Sequence, residues 1–567
     1  MFKETNHNQQ RDLFGDPSWL LRGRASKIYS DPDAWHNQFY ELVTSKIDES
    51  VFKPLYAEGN MGAPTKGICR IIGMMAYKEG CGCSDRELER AVDFDLQLRS
   101  ALGLFSLEDQ APSINAYYHF RKLLAEHEKE TGVDLLEKCF SSLSGLQMKR
   151  FNISGRSVRM DSKLIGSNIA WYSRYQIVHE TLRIESKSLV GRLPARLRGE
   201  VEAILSEEAK KTVYESDQKT IESKFEKMGR VIYEVIKSLK LTSGLLHRVF
   251  YEQYSLVRDA DENGKPKGPK RAEPKPKEEI SAASVQNPHD PDAEYRRKKD
   301  QKVKGYSTNI TETVDDAGEG KPSIIVGVQV EGATAADNSY TAAAIGKAES
   351  AAGEKVDTLY CDGAYQGPET RAYAEENGIE MVTSGIQGKP SRYELEADGL
   401  GGLTVTDKTT GEAMAATKRG DKWRIKIPGA KTPYRYFTQT DIDRASERRR
   451  IESLDKTRLN NRNNVEATIF QYCFHTRNNK TRYRGLVKMR MHAFARCMWM
   501  NFTKLAIYQT TVLQCAAFCF LGLIWSRCRA FGEAFFQNRP QKNFYATARI
   551  LAYGHPSPSL NLKNATF

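Results

Sequence analysis

The run Ser323–Val330 (SIIVGVQV) is almost continuously apolar and rich in β-branched residues. A strand of this kind is buried on both faces, so the fold must cover it on either side. Around it the periodicity keeps changing. Gly305–Glu312 (GYSTNITE) reads as another strand, Thr341–Ala352 as a helix, and Val356–Asp362 (VDTLYCD) as a strand that meets Gly363. From about Tyr393 to Tyr436 the period becomes two. Leu403 and Val405, then Trp423, Ile425 and Ile427, alternate with polar residues, and DG, TG and GD dipeptides punctuate the runs. This pattern predicts a small antiparallel insert.

The first 150 residues read differently. Ser84 and Glu87 have capping-box spacing, Gly67–Lys78 (GICRIIGMMAYK) is an apolar helical stretch, and Ser113 can cap a helix carrying Ile114, Tyr117, Tyr118, Arg121 and Leu124. Short helices with tight turns suit a helix-turn-helix module and equally any small bundle. Further on, Ser157–Asp161 (SVRMD) reads as a short strand ending in an acid. Ile221, Phe225, Met228, Ile232, Val235 and Leu239 then form a helical seam of under three heptads, expected to pack within the chain. Residues 259–281 hold four prolines, six Lys/Arg and no aromatic, a composition that predicts a flexible tether.

Length and charge narrow the class. At 567 residues the chain is long enough for three or four units. Its net charge is +13, and segment 444–504 alone carries fifteen Lys/Arg against four acids, a net +11. Charge of this sign favours a polyanionic partner. Ten irregularly spaced cysteines without a CxxC pair fit a reducing compartment and argue against structural zinc. Val512–Trp525 is apolar but only 14 residues long and interrupted by Gln514, which predicts a buried helix and no membrane span.

There is no GxSxG, HExxH or GxxxxGKS motif. The conspicuous residues are acids. Asp161 (RMDSKLIG) and Asp362 (TLYCDGAYQG) stand at predicted strand ends, where a turn cap is the ordinary role. Glu466, on a predicted helix with an apolar stripe of Val465, Ile469 and Phe470, is the sole acid between Arg458 and Lys504. Arg462 precedes it by one turn, the spacing of an ordinary surface ion pair. Taken together, two strand-end aspartates and a glutamate amid positive charge match two-metal phosphoryl chemistry. Carboxylates hold two hard cations such as Mg²⁺, and the basic surroundings hold the polyanion.

At these residues the chain resembles the DDE-type transposases of bacterial insertion sequences. GAPTKG, SDRELERAVDFDLQLRSALGL and SINAYYHFRKLL resemble the family's N-terminal domain, and RMDSKLIGSN the first catalytic aspartate motif. GYSTNITETVD is similar to the second core strand, YCDGAYQG to the second aspartate motif, and Arg462 with Glu466 to the arginine-x-x-x-glutamate signature. YRGLVKMRMHAFARCMWMNFTKL resembles the helical close of the domain. Two positions depart from the fuller signature: Leu459 stands where relatives carry tyrosine, and Cys473 where they carry lysine, a role open to Lys480 or Lys488.

The resemblance implies an α/β ribonuclease-H-like core with a helical N-terminal domain, a helical insertion and a small antiparallel β insertion. Its expected boundaries are a DNA-end-binding region at 1–150, core at 151–185, helical insertion and basic linker at 186–285, core at 286–385, and β-rich insertion at 386–440. The basic helical end with the third acid follows at 441–510, then a C-terminal helix and tail at 511–567. Asp161, Asp362 and Glu466 would be both the catalytic residues and the ligands of Mg²⁺, with Mn²⁺ as substitute. Arg462, Arg448, Arg449, Arg450, Arg484 and Lys488 would contact DNA. The implied partners are double-stranded DNA (element ends and target) and a second copy in a homodimer assembled on DNA. The implied location is cytoplasmic, at the bacterial nucleoid, with no membrane. A metal-dependent nuclease that cuts without joining, and an inactive DNA-binding element protein, are the rival expectations.

Overall fold

The computed structural model describes the backbone of residues 2–7, 16–56, 65, 67–260, 266–298, 300–385, 391–398, 402–427 and 432–528. Its N-terminal part is helical: α1 (Gly23–Ser30), α2 (Trp35–Leu42), α3 (Ile68–Cys81), α4 (Asp85–Phe94), α5 (Leu96–Ala101), α6 (Ile114–Thr131) and α7 (Leu135–Phe151). Local chemistry sets several starts. Ser84 and Glu87 form the expected reciprocal capping box on α4, and the Ser113 hydroxyl accepts from the Ala116 amide at the start of α6.

A first strand, β1 (Ser157–Gly166), leads into the helical insertion. This comprises α8 (Arg174–Leu189), α9 (Ala195–Leu205), α10 (Ala209–Glu215), α11 (Gln218–Ser238) and α12 (Leu245–Gln253), closed by the strand pair β2 (Tyr254–Ala260) and β3 (Pro266–Pro274). The α11 seam packs within the chain: Phe225, Met228, Ile232 and Val235 join a core with Val178, Phe250, Tyr254 and Ala272. Much of the expected tether is therefore strand. A two-stranded ribbon tolerates its prolines because Pro266 and Pro274 sit at the strand ends and Pro269 lies where the register shifts, so none has to donate to an interior ladder. Residues 261–265 lie outside the described residues.

The chain then builds the central sheet with β4 (Glu294–Lys298), β5 (Gln301–Thr313), β6 (Ile325–Gly332), α13 (Thr341–Ala352), β7 (Thr358–Cys361), α14 (Pro368–Glu376) and β8 (Glu380–Thr383). β5 pairs antiparallel with β1, β4 and β6, while β1, β7 and β8 run parallel. The SIIVGVQV run is β6, buried along most of its length as expected. A separate antiparallel sheet follows: β9 (Tyr393–Ala397), β10 (Leu403–Asp407), β11 (Ala413–Arg419), β12 (Lys422–Lys426) and β13 (Tyr434–Thr438), with Leu403, Val405, Trp423 and Ile425 in its core. The last helices are α15 (Gln439–Glu452), α16 (Lys456–Tyr472) and α17 (Leu486–Cys528). Whether the 512–525 side chains are buried lies outside the described residues. Among those that are described, no helix is long and apolar enough to cross a membrane.

Helices cover both sheet faces. The face of Met160, Thr311 and Gly327 carries α13, whose Lys347 lies against Gly327; the opposite face, bearing Arg159 and Asp161, carries α16. The N-terminal helices are fused to this core. One continuous cluster of buried side chains runs from Phe39 through Ile310 to Ala506. α3 crosses α17 at Gly80, where a Cβ would fall 2.1 Å from the Trp499 ring, so only glycine permits the approach.

Candidate active site

Asp161 lies within β1, not at its end. The sequence predicts termination there, but β5 is long enough to keep pairing, with partners from Val158↔Thr313 to Gly166↔Gly305. What does end is the parallel pairing with β7, whose last pair is Arg159↔Tyr360. Extending that register by two residues sets Asp161 level with Asp362, the first residue after β7. Each aspartate accepts from the amide that follows it, Ser162 at 2.8 Å and Gly363 at 2.7 Å, so each is a local cap as well. In both cases the second carboxylate oxygen remains for another partner.

That partner is Arg462. α16 lies across β1, β7 and β8, and its Val465 and Ile469 are buried beneath it. Phe470, expected in the same stripe, is instead 69% exposed at the cleft rim, because it falls on the solvent side of the helix. Arg462, with a side chain only 10% exposed, places Nη2 3.8 Å from Asp161 and 3.9 Å from Asp362, and Nη1 2.7 Å from Glu466. One guanidinium thus gathers all three acids, separated by 201 and 104 residues of sequence, at a cleft of about 830 Å³. Burial raises the Asp161 carboxyl above its ordinary value. The Ser162 amide and Arg462 oppose that shift, and Asp362 and Glu466 reinforce it.

Two acids of this region escaped the sequence reading. Asp337 lines the same cleft and accepts a 2.7 Å hydrogen bond from the Ser162 hydroxyl. Glu312 is fully buried beneath α16. It accepts from Arg159 at 2.7 Å, Lys504 at 2.5 Å and the Thr468 hydroxyl at 2.9 Å, and Arg159 also donates to the Asn461 carbonyl at the start of α16. Burial works to raise the Glu312 carboxyl, but Lys504 and Arg159 hold it below the usual range. This cluster ties the helix bearing Arg462 and Glu466 to the strand bearing Asp161. The only trace of Glu312 in the sequence is a glutamate closing the GYSTNITE strand.

The other candidate residues are dispersed. Arg449 donates to the Leu395 carbonyl at 2.7 Å, and Arg450 pairs with Glu447 and donates to the Met381 carbonyl, so both brace the β insertion and the sheet. Arg448 lines a small cleft between α15 and the β insertion. Arg484 and Lys488 line a separate cleft on the far side of the α16–α17 loop.

The acids suit hard cations by donor type: three carboxylates against one guanidinium leave negative charge in excess. Among the described residues no three metal-ligating side chains stand close enough to hold an ion as placed, because Arg462 occupies the centre.

Fold and cleft together describe a mixed α/β sheet with an acidic pocket, fused to a helical N-terminal region and flanked by basic helices. Two family models match this chain: residues 30–123 match one described as Transposase domain (DUF772), and residues 430–506 match one described as Transposase DDE domain. These matches support a DDE transposase of the insertion-sequence type. The second range includes Arg462 and Glu466; Asp161 and Asp362 lie outside both. No curated protein and no solved structure matches the chain.

Proposed function

We infer that the chain is a DNA transposase with a ribonuclease-H-like core, which binds the terminal inverted repeats of its element, cleaves phosphodiester bonds at the ends and joins the 3′-hydroxyls to target DNA. The observation that carries this reading is the convergence of Asp161, Asp362 and Glu466 on Arg462. Two turn caps and a surface ion pair would have no reason to meet. The mixed sheet, covered on both faces, supports the core assignment.

Asp161, Asp362 and Glu466 would hold Mg²⁺ or Mn²⁺, which when bound activates the attacking oxygen and stabilises the leaving one. Asp161 and Asp362 are set side by side by the β1–β7 register, and their capped oxygens fix their orientation. Arg462 draws Glu466 toward them and limits the mutual repulsion of the three acids. The open cleft admits a DNA backbone, and the Glu312 cluster keeps α16 at its distance from β1.

The test is incubation with DNA carrying the element ends, with and without Mg²⁺, followed by mapping of nicks and joined products. Asp161→Asn, Asp362→Asn and Glu466→Gln should each lower cleavage by about a thousandfold or more, about 4 kcal/mol of barrier, with folding intact. Metal-dependent cleavage without joined products would reduce the function to a nuclease. Cleavage that survives all three substitutions would overturn the site.

A further inference from the structure

A second cleft, of about 800 Å³, lies at the seam between the N-terminal helices and the start of α17. Lys78, Arg121, Lys122, Arg482, Arg484 and Lys488 line it, and Asp85 is its one lining carboxylate. Asp85 is already neutralised by Lys78 at 2.5 Å. Arg121 lies over the rings of Tyr117 and Tyr483, at 5.4 and 5.5 Å. Among the described residues, neither Arg121 nor Lys488 has a carboxylate within ion-pair distance, and Lys122 holds only an exposed 3.5 Å pair with Glu126.

Hydrogen bonds cross-link the walls. Lys78 donates to the Tyr483 hydroxyl at 3.0 Å, Tyr483 donates to the buried Glu79, and His492 pairs with the same glutamate at 2.7 Å. Arg482 and Arg484 donate to the carbonyls of Cys83 and Asn168 at 2.6 Å each, which fixes their direction; Arg482 also stands 3.8 Å from Glu79, whereas Arg484 has no carboxylate within ion-pair distance among the described residues. Arg121, Arg484 and Lys488, which have no carboxylate within ion-pair distance among the described residues, are suited to phosphates.

One loop joins this cleft to the acids. Thr476, Asn478 and Asn479 line the acidic cleft, and Arg482, Tyr483 and Arg484 line the basic one. The loop is pinned to the end of β1: the Gly166 amide donates to the Asn479 carbonyl at 2.8 Å, the Thr481 amide to Gly166 at 2.9 Å, and the Asn168 amide to Tyr483 at 3.2 Å. Asn478 and Asn479 both take left-handed conformations, φ 54° and 53°, which asparagine tolerates better than most residues. Asn479 meets Gly166, which a strand rise of about 3.3 Å per residue sets about 17 Å from Asp161, and the contour from Asn479 to Tyr483 adds at most about 14 Å, so the basic cleft begins at most about nine nucleotide steps from the acids along one strand.

We propose that this seam cleft is the backbone clamp for the DNA end, holding phosphates several steps, at most about nine, from the scissile bond and feeding the strand along the 476–484 loop to the acids. The proposal rests on the transposase reading and specifies where the substrate enters. It also gives the fusion of the N-terminal helices to α17 a purpose, since the clamp exists only where the two meet.

The test uses the full chain and a short duplex, with binding measured across a salt series. Arg121→Ala combined with Lys488→Ala should lower the log–log salt slope by about 1.8, near 0.9 for each lost phosphate contact. Arg121→Lys with Lys488→Arg should restore it. Lys219→Ala with Lys227→Ala, which removes the same charge from the exposed side of α11, should leave the slope unchanged. Phosphate-ethylation interference should mark sites several steps, at most about nine, from the nick. Thermal melts of each variant establish that it is folded. If the seam variant keeps the wild-type slope and interference pattern while the wild type still cleaves ends with Mg²⁺, the clamp is overturned and the transposase reading stands. If the wild type binds no duplex at all, both fall.

Discussion

Two ionic clusters sit two residues apart on the same face of β1, and their charge ratios are opposite. At Asp161, three carboxylates share one guanidinium in an open cleft; at Arg159, one carboxylate is closed between two cations, beneath α16. The inner cluster is complete. Glu312 also receives hydroxyls from Thr468 and Ser323, so little about it calls for a ligand. The outer cluster has acid to spare, and Glu466 and Asp362 remain 63% and 48% exposed. Similar residue types therefore serve two ends: the buried cluster fixes geometry, and the exposed one is left short of positive charge.

Breaking the inner cluster should have the larger structural effect. Glu312→Gln leaves Arg159 and Lys504 buried without their counter-charge, at a cost of about 3–5 kcal/mol in urea denaturation. If Glu312 acts as a positioning residue, the folded fraction should also lose kcat with little change in DNA affinity. A loss in stability smaller than about 1 kcal/mol would show that the cluster is not the anchor described here.

What the sequence reveals follows the same division. Local patterns mark Asp161 as an acid closing an apolar stretch, Asp362 as the acid where a strand meets glycine, and Arg462 with Glu466 as an i,i+4 pair on a helix; that the four lie together is visible only in the structure. No such pattern marks Glu312, because its burial depends on Arg159, Thr468 and Lys504, brought to it by strand register and two later helices. Asp337 is hidden in the same way, since only the Ser162 contact draws it to the cleft. Composition predicts a tether over residues 259–281, where the structure has the end of β2 and all of β3: a ribbon needs few apolar side chains when one of its faces, through Tyr254 and Ala272, rests on a helical core. The fusion of the N-terminal helices to α17 depends on Gly80 meeting Trp499, a contact across more than 400 residues that periodicity cannot reveal.

A third cluster, at that fusion, sharpens the comparison through pH. Burial works against ionised Glu79, but His492, Tyr483 and Arg482 outweigh it and push its carboxyl down to about 2. A depressed carboxyl contributes stability above its unfolded value near 4.5, and that contribution is lost as pH falls toward 2. Wild type should therefore exceed Glu79→Gln by about 2 kcal/mol at neutral pH, as expected for charge-assisted hydrogen bonds, and the gap should close across that window. A gap that is constant with pH would mean that Glu79 contributes by shape and not by charge.

The smallest effect belongs to the outer cluster, and its smallness is informative. Asp362 is half exposed, stands 3.9 Å from Arg462 and shares that guanidinium with two other acids. Asp362→Asn should then alter stability by no more than about 0.5 kcal/mol in the absence of divalent ions. Adding Mg²⁺ separates the two proteins. A ligand that binds only the folded state stabilises it by RT ln(1 + [L]/Kd), about 1.4 kcal/mol at ten times Kd, and the variant should lose most of that gain. The melting temperature reads this without any turnover. Equal Mg²⁺ responses in wild type and variant would remove Asp362 from the ion site, even if cleavage were lost, and would leave its turn cap at Gly363 as its only demonstrated role.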